Sequence, residues 1–322
     1  MASKYSLAFR GWQWHMTTMS YLPAPLTTRP LGTSDIPVSA LAWGMWRFGG
    51  DDIALAQTRV ETALDAGIVL FDTADIYGPD NGEPFGAAEA LLGRILAGSP
   101  GLRDRMVLAT KAGIVIGTPY DSSGAYLTAA IDASLSRLCT DHIDLWQVHR
   151  PDLLTHPADL ARTLDAAHRA GKIRTIGVSN HTPAQVRALA AYLPDSLPLV
   201  SHQPEYSALA LAPLFDGVMD QAMETDMAVL AWSPLAGGRL ANPADERGRA
   251  VAALLDAKAA EAGVGRAAAA YSWIMAHPAQ PIPIVGTQNP ARIAEIPHAL
   301  IPRWTRAEWY AVLQASMGEA LP

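Results

Sequence analysis

Short apolar runs alternate with helical patterns about eight times along this chain, and that alternation limits the fold more than any single motif does. Runs of strand length lie at 40–44, 68–71, 106–110, 143–148, 173–178, 199–202, 228–231 and 282–284. Between them apolar residues recur at helical spacing near 52–66, 86–97, 124–138, 157–170, 183–192, 213–225 and 246–276. Stretches at 290–296 and 305–317 close the chain. Parallel strands need crossover connections, and this many strand–helix units argue for a closed barrel rather than an open sheet. The expected class is α/β, a (β/α)8 TIM barrel with extra C-terminal helices.

Local signals agree with that segmentation. Ala66-Gly67 and Ala170-Gly171-Lys172 read as helix ends before a strand. Thr305 with Glu308 reads as a capping box opening the last helix. Gly263 and Gly265 imitate a dinucleotide fingerprint. They follow an alanine-rich helical stretch instead of a strand, so they read as a break between two helices. Residues 28–39 read as an N-terminal hairpin turning at Thr33-Ser34-Asp35. No low-complexity linker divides the chain, so residues 28–322 are expected to form a single barrel domain behind an N-terminal extension, residues 1–27. Lys4 and Arg10 interrupt the apolar run that a secretory signal needs.

Bulk properties exclude several functions. The chain has 322 residues, half of them apolar, enough to bury a large core. A net charge of −7, with 17% charged residues, argues against nucleic acid as a partner. Cys139 is the only cysteine, which leaves no internal disulfide or thiolate metal cluster and fits a reducing, cytoplasmic compartment. No apolar run approaches the roughly 18 residues of a membrane span, so no membrane partner is expected. His142, His149 and His156 recur at even spacing without a completing carboxylate set, and no metal is expected.

The reactive groups of such a barrel gather at the C-terminal ends of its strands. Here the second strand leads to Asp72 and Tyr77, the third to Lys111 and the fourth to Gln147-Val-His149. The fifth ends in Ser179-Asn180, the sixth in His202-Gln203 and the seventh in Trp232-Ser233. Singly, each reads as a cap, a surface charge or a satisfied loop residue. Together they make an acid. A phenol titrates near pH 10, about three units too high for an easy donor at neutral pH. Lys111 is expected to lower it, Asp72 to hold the ammonium, and His149 to orient a carbonyl oxygen. Alternation turns Leu145, Gln147 and His149 inward and sends Trp146 and Val148 toward the helices. Asp75 is left as a loop residue without a role, Glu83 as a loop tip and Glu89 as a solvated helix face.

This constellation resembles the aldo-keto reductase family. The matching segments are Phe71-Asp-Thr-Ala-Asp-Ile-Tyr77-Gly, Ala109-Thr-Lys111, Asp141-His-Ile-Asp-Leu-Trp-Gln-Val-His149-Arg and Gly177-Val-Ser-Asn180. Gln203-Pro-Glu-Tyr206, Ala231-Trp-Ser-Pro-Leu235 and Pro283-Ile-Val-Gly-Thr-Gln-Asn-Pro-Ala-Arg292-Ile-Ala-Glu295 complete the set. The likeness runs from about residue 29 to the end and is nearest to a bacterial branch of broad-specificity oxidoreductases.

The resemblance implies reduction of an aldehyde or ketone to an alcohol with NADPH. Asp72, Tyr77, Lys111 and His149 match the catalytic tetrad, with Tyr77 as proton donor. Ser179, Asn180 and Gln203 match the residues that hold the nicotinamide amide, and Trp232 the aromatic stacked on its ring. Ser233 and Leu235 begin the loop along the pyrophosphate. Gly286, Thr287, Gln288, Arg292 and Glu295 match the adenosine end, with Arg292 facing the 2′-phosphate. Gly286 stands where many members carry lysine, and Ile296 where many carry asparagine, so NADH is the alternative cofactor. Trp46 is expected either to line the substrate pocket or to pack at the barrel rim. Monomer and weak homo-oligomer both stay open. An alternative function is a redox-sensing subunit that binds cofactor with little turnover. A further one makes Lys111 a Schiff-base lysine, which leaves the cofactor motifs unexplained.

Overall fold

The computed structural model describes residues 20–322, so Lys4 and Arg10 of the expected extension lie outside the described residues. The first strands, β1 (Thr28–Pro30) and β2 (Pro37–Ser39), pair antiparallel as a hairpin. The next eight are β3 (Ala42–Gly44), β4 (Leu70–Asp72), β5 (Val107–Ala112), β6 (Ile143–Val148), β7 (Ile173–Ser179), β8 (Leu199–Gln203), β9 (Ala228–Ala231) and β10 (Ile282–Val285). They close into one parallel barrel in chain order, with β10 returning to β3. Five crossovers are carried by α1 (Ile53–Asp65), α2 (Ala87–Gly98), α3 (Gly124–Leu138), α4 (Pro157–Arg169) and α5 (Pro183–Ala190). The remaining helices are α6 (Val218–Thr225), α7 (Glu246–Ala262), α8 (Arg266–Met275), α9 (Pro290–Ala294) and α10 (Arg306–Met317).

The sequence signals act where expected. Gly67 and Gly171 take positive φ after α1 and α4. Gly263 ends α7 in a left-handed conformation and Gly265 caps α8, so that segment is a helix break. Thr305 and Glu308 form the reciprocal capping box of α10. One helix is shorter than expected. Gly217 has φ +86°, so residues 213–225 divide into a 3-10 turn and α6.

Strand alternation sorts the core into two layers. Trp43, Phe71, Leu108, Trp146 and Val178 pack outward against the helices. Ala42, Leu70, Ala109, Leu145, Leu230 and Ile282 fill the barrel, and Leu31, Ile36 and Val38 of the hairpin join them. Leu70, Ala228 and Ile282 begin their strands, so the hairpin plugs the N-terminal end of the barrel. Its three apolar side chains are at most 2% exposed, each worth about 2 kcal/mol of burial. Gly32, at φ +58°, makes this close fit: a Cβ there would lie 2.1 Å from the Val200 carbonyl oxygen. Sealing that end leaves the polar C-terminal end as the mouth.

Candidate active site

β4 ends on Asp72, β5 carries Lys111 one residue before its end, and His149 follows β6; the register staggers them, with Asp72 beside Ala109, Lys111 beside Gln147 and His149 two residues beyond. Lys111 Nζ donates to Asp72 Oδ2 at 2.7 Å and to the Thr73 carbonyl at 2.9 Å. The ammonium also lies 4.9 Å from the Tyr77 ring centroid. Tyr77 and His149 meet edge to face, with centroids 6.1 Å apart. Gln203 and Gln147 donate to the other Asp72 oxygen at 2.8 and 3.4 Å, and Ser201 Oγ donates to Gln147. Asp72, Lys111 and Gln203 are all buried. Gly78 permits the turn that follows Tyr77, because a Cβ there would lie 1.9 Å from the Pro84 carbonyl oxygen.

The electrostatics differ from the expectation in one respect. Burial pushes the Tyr77 phenol above its ordinary value, and Lys111 pulls it down without reversing that rise. Tyr77 is only half-buried, so solvent at the mouth tempers the rise. The phenol therefore keeps its proton through neutral pH. Burial alone would lower the Lys111 pKa, but Asp72 and Tyr77 hold the ammonium and the net shift is upward. An ammonium held in a buried ion pair is a poor amine nucleophile, which argues against the Schiff-base reading. Burial, with the Lys111 and Arg150 cations, drives His149 well below its usual value, so its imidazole is neutral.

The strands beside this centre supply a linked polar rim. Ser179 Oγ donates to the Gln203 carbonyl, and Asn180 Nδ2 donates to Ser179 Oγ at 2.7 Å. Trp232 Nε1 donates to Asn180 Oδ1 at 3.0 Å, which fixes the plane of the indole. Asn180 and Ser233 both hold positive φ at strand ends, a conformation that asparagine tolerates better than most residues. Ser233 Oγ accepts from Gly237 N, which shapes the loop containing Leu235. Across the barrel seam, Trp43 Nε1 donates to the Thr287 carbonyl and Gln288 Nε2 to the Gly44 carbonyl. A Cβ built on Gly286 meets nothing within 4 Å, so open space lies over that backbone. Arg292 and Glu295 are exposed on and after α9.

Trp46 is 42% exposed beside the loop after Tyr77. Its Nε1 donates to Asp80 Oδ2 at 3.0 Å, and Asn81 Nδ2 donates to its carbonyl at 2.6 Å. The three evenly spaced histidines go to separate places: His142 pairs with Asp141, His156 caps α4 and His149 faces Tyr77.

Three carboxylates depart from their expected roles. Asp75 is 1% exposed and accepts from the Tyr126 hydroxyl at 3.4 Å. Glu89 is fully buried and accepts from Thr110 Oγ1 at 2.6 Å and Arg137 Nε at 2.8 Å. Glu83 is half-buried and accepts from Gly50 N. Helical amphipathicity cannot mark an acid turned inward onto a distant arginine. His202 is likewise hidden: alternation turns it from Gln203, and neither of its ring nitrogens has a partner. Arg150, over the Trp232 ring at 5.7 Å, was also unmarked.

The comparisons with known proteins agree with one another. The model of the Aldo/keto reductase family matches residues 40–313. The chain is 55% identical over 306 residues to a 6-dehydroglucose reductase of Novosphingobium aromaticivorans, covering 94% of this chain and 100% of that one. It is 35% identical to a 6-dehydroglucose reductase of Agrobacterium fabrum, over 88% of this chain and 96% of that one. It is 34% identical to Oxidoreductase YdhF of Escherichia coli, over 88% and 95%. A crystal structure of a thermostable aldo-keto reductase superposes with a TM-score of 0.76 at 22% identity, covering 90% of this chain and 100% of that one. The chain belongs to the aldo/keto reductase family and is an NAD(P)H-dependent oxidoreductase that reduces carbonyl groups.

Proposed function

We propose that this protein reduces a sugar-type aldehyde to the alcohol with NADPH, using Tyr77 as the proton donor. The observation that carries this reading is the Lys111 ammonium, held between Asp72 and the Thr73 carbonyl and set over Tyr77 beside His149. The sugar class comes from the names of the relatives at 55% and 35% identity.

The residues at the mouth fit a dinucleotide. Trp232 offers a half-buried indole face whose plane is set by Asn180. Ser179, Asn180 and Gln203 place amide and hydroxyl groups around it. Gly286 leaves its backbone open, and Arg292 is an exposed cation with no ion pair among the described residues. Ser233, Leu235, Thr287, Gln288 and Glu295 would line the remaining length. When bound, the reduced cofactor supplies hydride.

The chain's own groups do the rest. The neutral His149 imidazole donates a hydrogen bond that orients the carbonyl oxygen. Tyr77 gives its proton to that oxygen as negative charge develops. Lys111 stabilises the phenolate left behind, and Asp72 with the two glutamines keeps the ammonium in place. Arg292 favours the phosphorylated cofactor, while the missing lysine at Gly286 narrows its margin over NADH.

The test mixes the protein with NADPH or NADH and a panel of sugar, aromatic and aliphatic aldehydes and ketones. Loss of the reduced-nicotinamide absorbance is expected, fastest with NADPH and a sugar aldehyde. A flat trace across the whole panel, with tight NADPH binding, would remove the reductase reading and leave the redox-sensing one.

A further inference from the structure

Arg150 follows His149 directly, on a backbone held by the His149 N–H to the Ala112 carbonyl at 2.9 Å. Its guanidinium lies 5.7 Å from the centre of the Trp232 ring. Its neighbour His149 meets the Tyr77 ring, so Arg150 stands at the reacting end of the mouth, where its charge favours a lower pKa for both Tyr77 and His149. The residue is half-buried.

Its own loop offers it no counterion. Asp152, two residues on, has one oxygen on Leu154 N and the other on Ser122 N and Thr155 Oγ1. Asp121 is taken by Ser123 N, and Asp75 by Tyr126. Among the described residues Arg150 has neither an ion pair nor a side-chain hydrogen bond, whereas Arg103, Arg137, Arg174 and Arg266 each hold a carboxylate. An arginine drawn partly out of water without a partner costs stability, and a planar fork of five donors is suited to paired oxygens. The Trp232 ring attracts the cation without using any of its N–H donors.

We propose that Arg150 is the specificity-determining residue of this mouth: its N–H edge binds the oxygens flanking the carbonyl, so the site selects hydroxylated or carboxylated aldehydes over apolar ones. This deepens the proposed function and rests on it. The chemistry recognised is an oxygen acceptor two or three bonds from the reacting carbon, supplied by a neutral polyol or by a carboxylate.

The experiment compares the full-length parent with Arg150→Met and Arg150→Lys on benzaldehyde, glyceraldehyde and glyoxylate; the last two carry a hydroxyl or carboxylate oxygen two or three bonds from the reacting carbon. Arg150→Met should lower kcat/KM on glyceraldehyde and glyoxylate, relative to benzaldehyde, by about tenfold or more, chiefly through KM, because a charge-assisted hydrogen bond goes. Arg150→Lys should recover part of that ratio. A larger loss on glyoxylate than on glyceraldehyde assigns the carboxylate as the main partner; a loss no larger assigns the hydroxyls. A uniform loss on all three aldehydes, or none on any, overturns the proposal. If the parent reduces none of them, the reductase reading fails by itself. Quenching of tryptophan emission by glyoxylate, in parent but not in Arg150→Met, then still decides for or against Arg150.

Discussion

Thr110 and Lys111 are neighbours on β5, yet they belong to two buried polar clusters built on opposite principles. Lys111 faces into the barrel, where its ammonium meets one carboxylate, Asp72, and both Asp72 oxygens are satisfied. Thr110 faces out toward α2 and α3. There Glu89 holds the one guanidinium, Arg137, while Asp75 accepts from the Tyr126 hydroxyl and its Oδ1 has no partner among the described residues. The inner cluster is charge-balanced and touches a phenol. The outer one is short of a cation, so burial, with Glu89 beside it, pushes the Asp75 carboxyl up to about 8. In the proposed function the inner set would stabilise a proton's departure. The outer set is arranged to tie helices to a strand, and it keeps a proton to do so.

The comparison breaks if inner and outer substitutions have the same consequences. The largest effect is expected from Tyr77→Phe, which should cut kcat/KM by about 10²–10⁴-fold while leaving the NADPH dissociation constant and the melting temperature near those of the parent. Activity of the parent should persist to high pH and decline only as the raised Tyr77 phenol ionises. Next comes Asp72→Asn. It leaves a buried ammonium without its carboxylate, so about 3–5 kcal/mol of stability should go in urea titration, together with turnover. An Asp72→Asn protein that is stable and active would show that the inner pair is not needed.

Glu89→Gln should cost about 2–4 kcal/mol by breaking the buried pair with Arg137, with kcat/KM nearly unchanged in the folded fraction. A selective loss of kcat there would merge the two clusters into one. Asp75→Asn should act in the opposite direction. Folded Asp75 holds its proton up to about pH 8, whereas an ordinary carboxyl releases it near 3.8. Its contribution to stability is thus present below pH 3.8 and lost as pH rises to about 8. The variant should exceed the parent at pH 8 by up to about 5 kcal/mol and converge with it near pH 4. The smallest effect is expected at His202. Burial first, then His181, lowers it to about 3, so stability present above pH 6.5 is lost as pH falls toward 3. His202→Gln should flatten that acid limb in a pH series of thermal melts.

Strand-level features were legible because they are periodic. β6 and β9 match their expected limits, and Leu145, Trp146 and Val148 fall in the layers alternation assigns them. The glycine helix ends and the capping box were legible because each is a local geometric need. The outer cluster was not. Glu89 finds Thr110 at a separation of 21 residues and Arg137 at 48, and Tyr126 meets Asp75 at 51, so no window along the chain contains the pairing. The sign of the Tyr77 shift was also out of reach, since a motif names the nearby cation but carries no measure of burial. Arg150 is visible only as the absence of a partner, which requires knowing where Asp152 has gone.

The seam of the barrel has a consequence for synthesis. β3 and β10 are the first and last strands of the ring, and the Trp43 indole reaches the Thr287 carbonyl across 244 positions of sequence. On the ribosome, Asp72, Lys111 and His149 exist long before β10 emerges, in a half-ring whose inner face is wet. Ring closure must wait for nearly the whole chain, a long-range step of the kind that slows folding. A nascent fragment that carries every tetrad residue should therefore still lack the dry interior those residues need. Competence for chemistry arrives last, with the C-terminal strand.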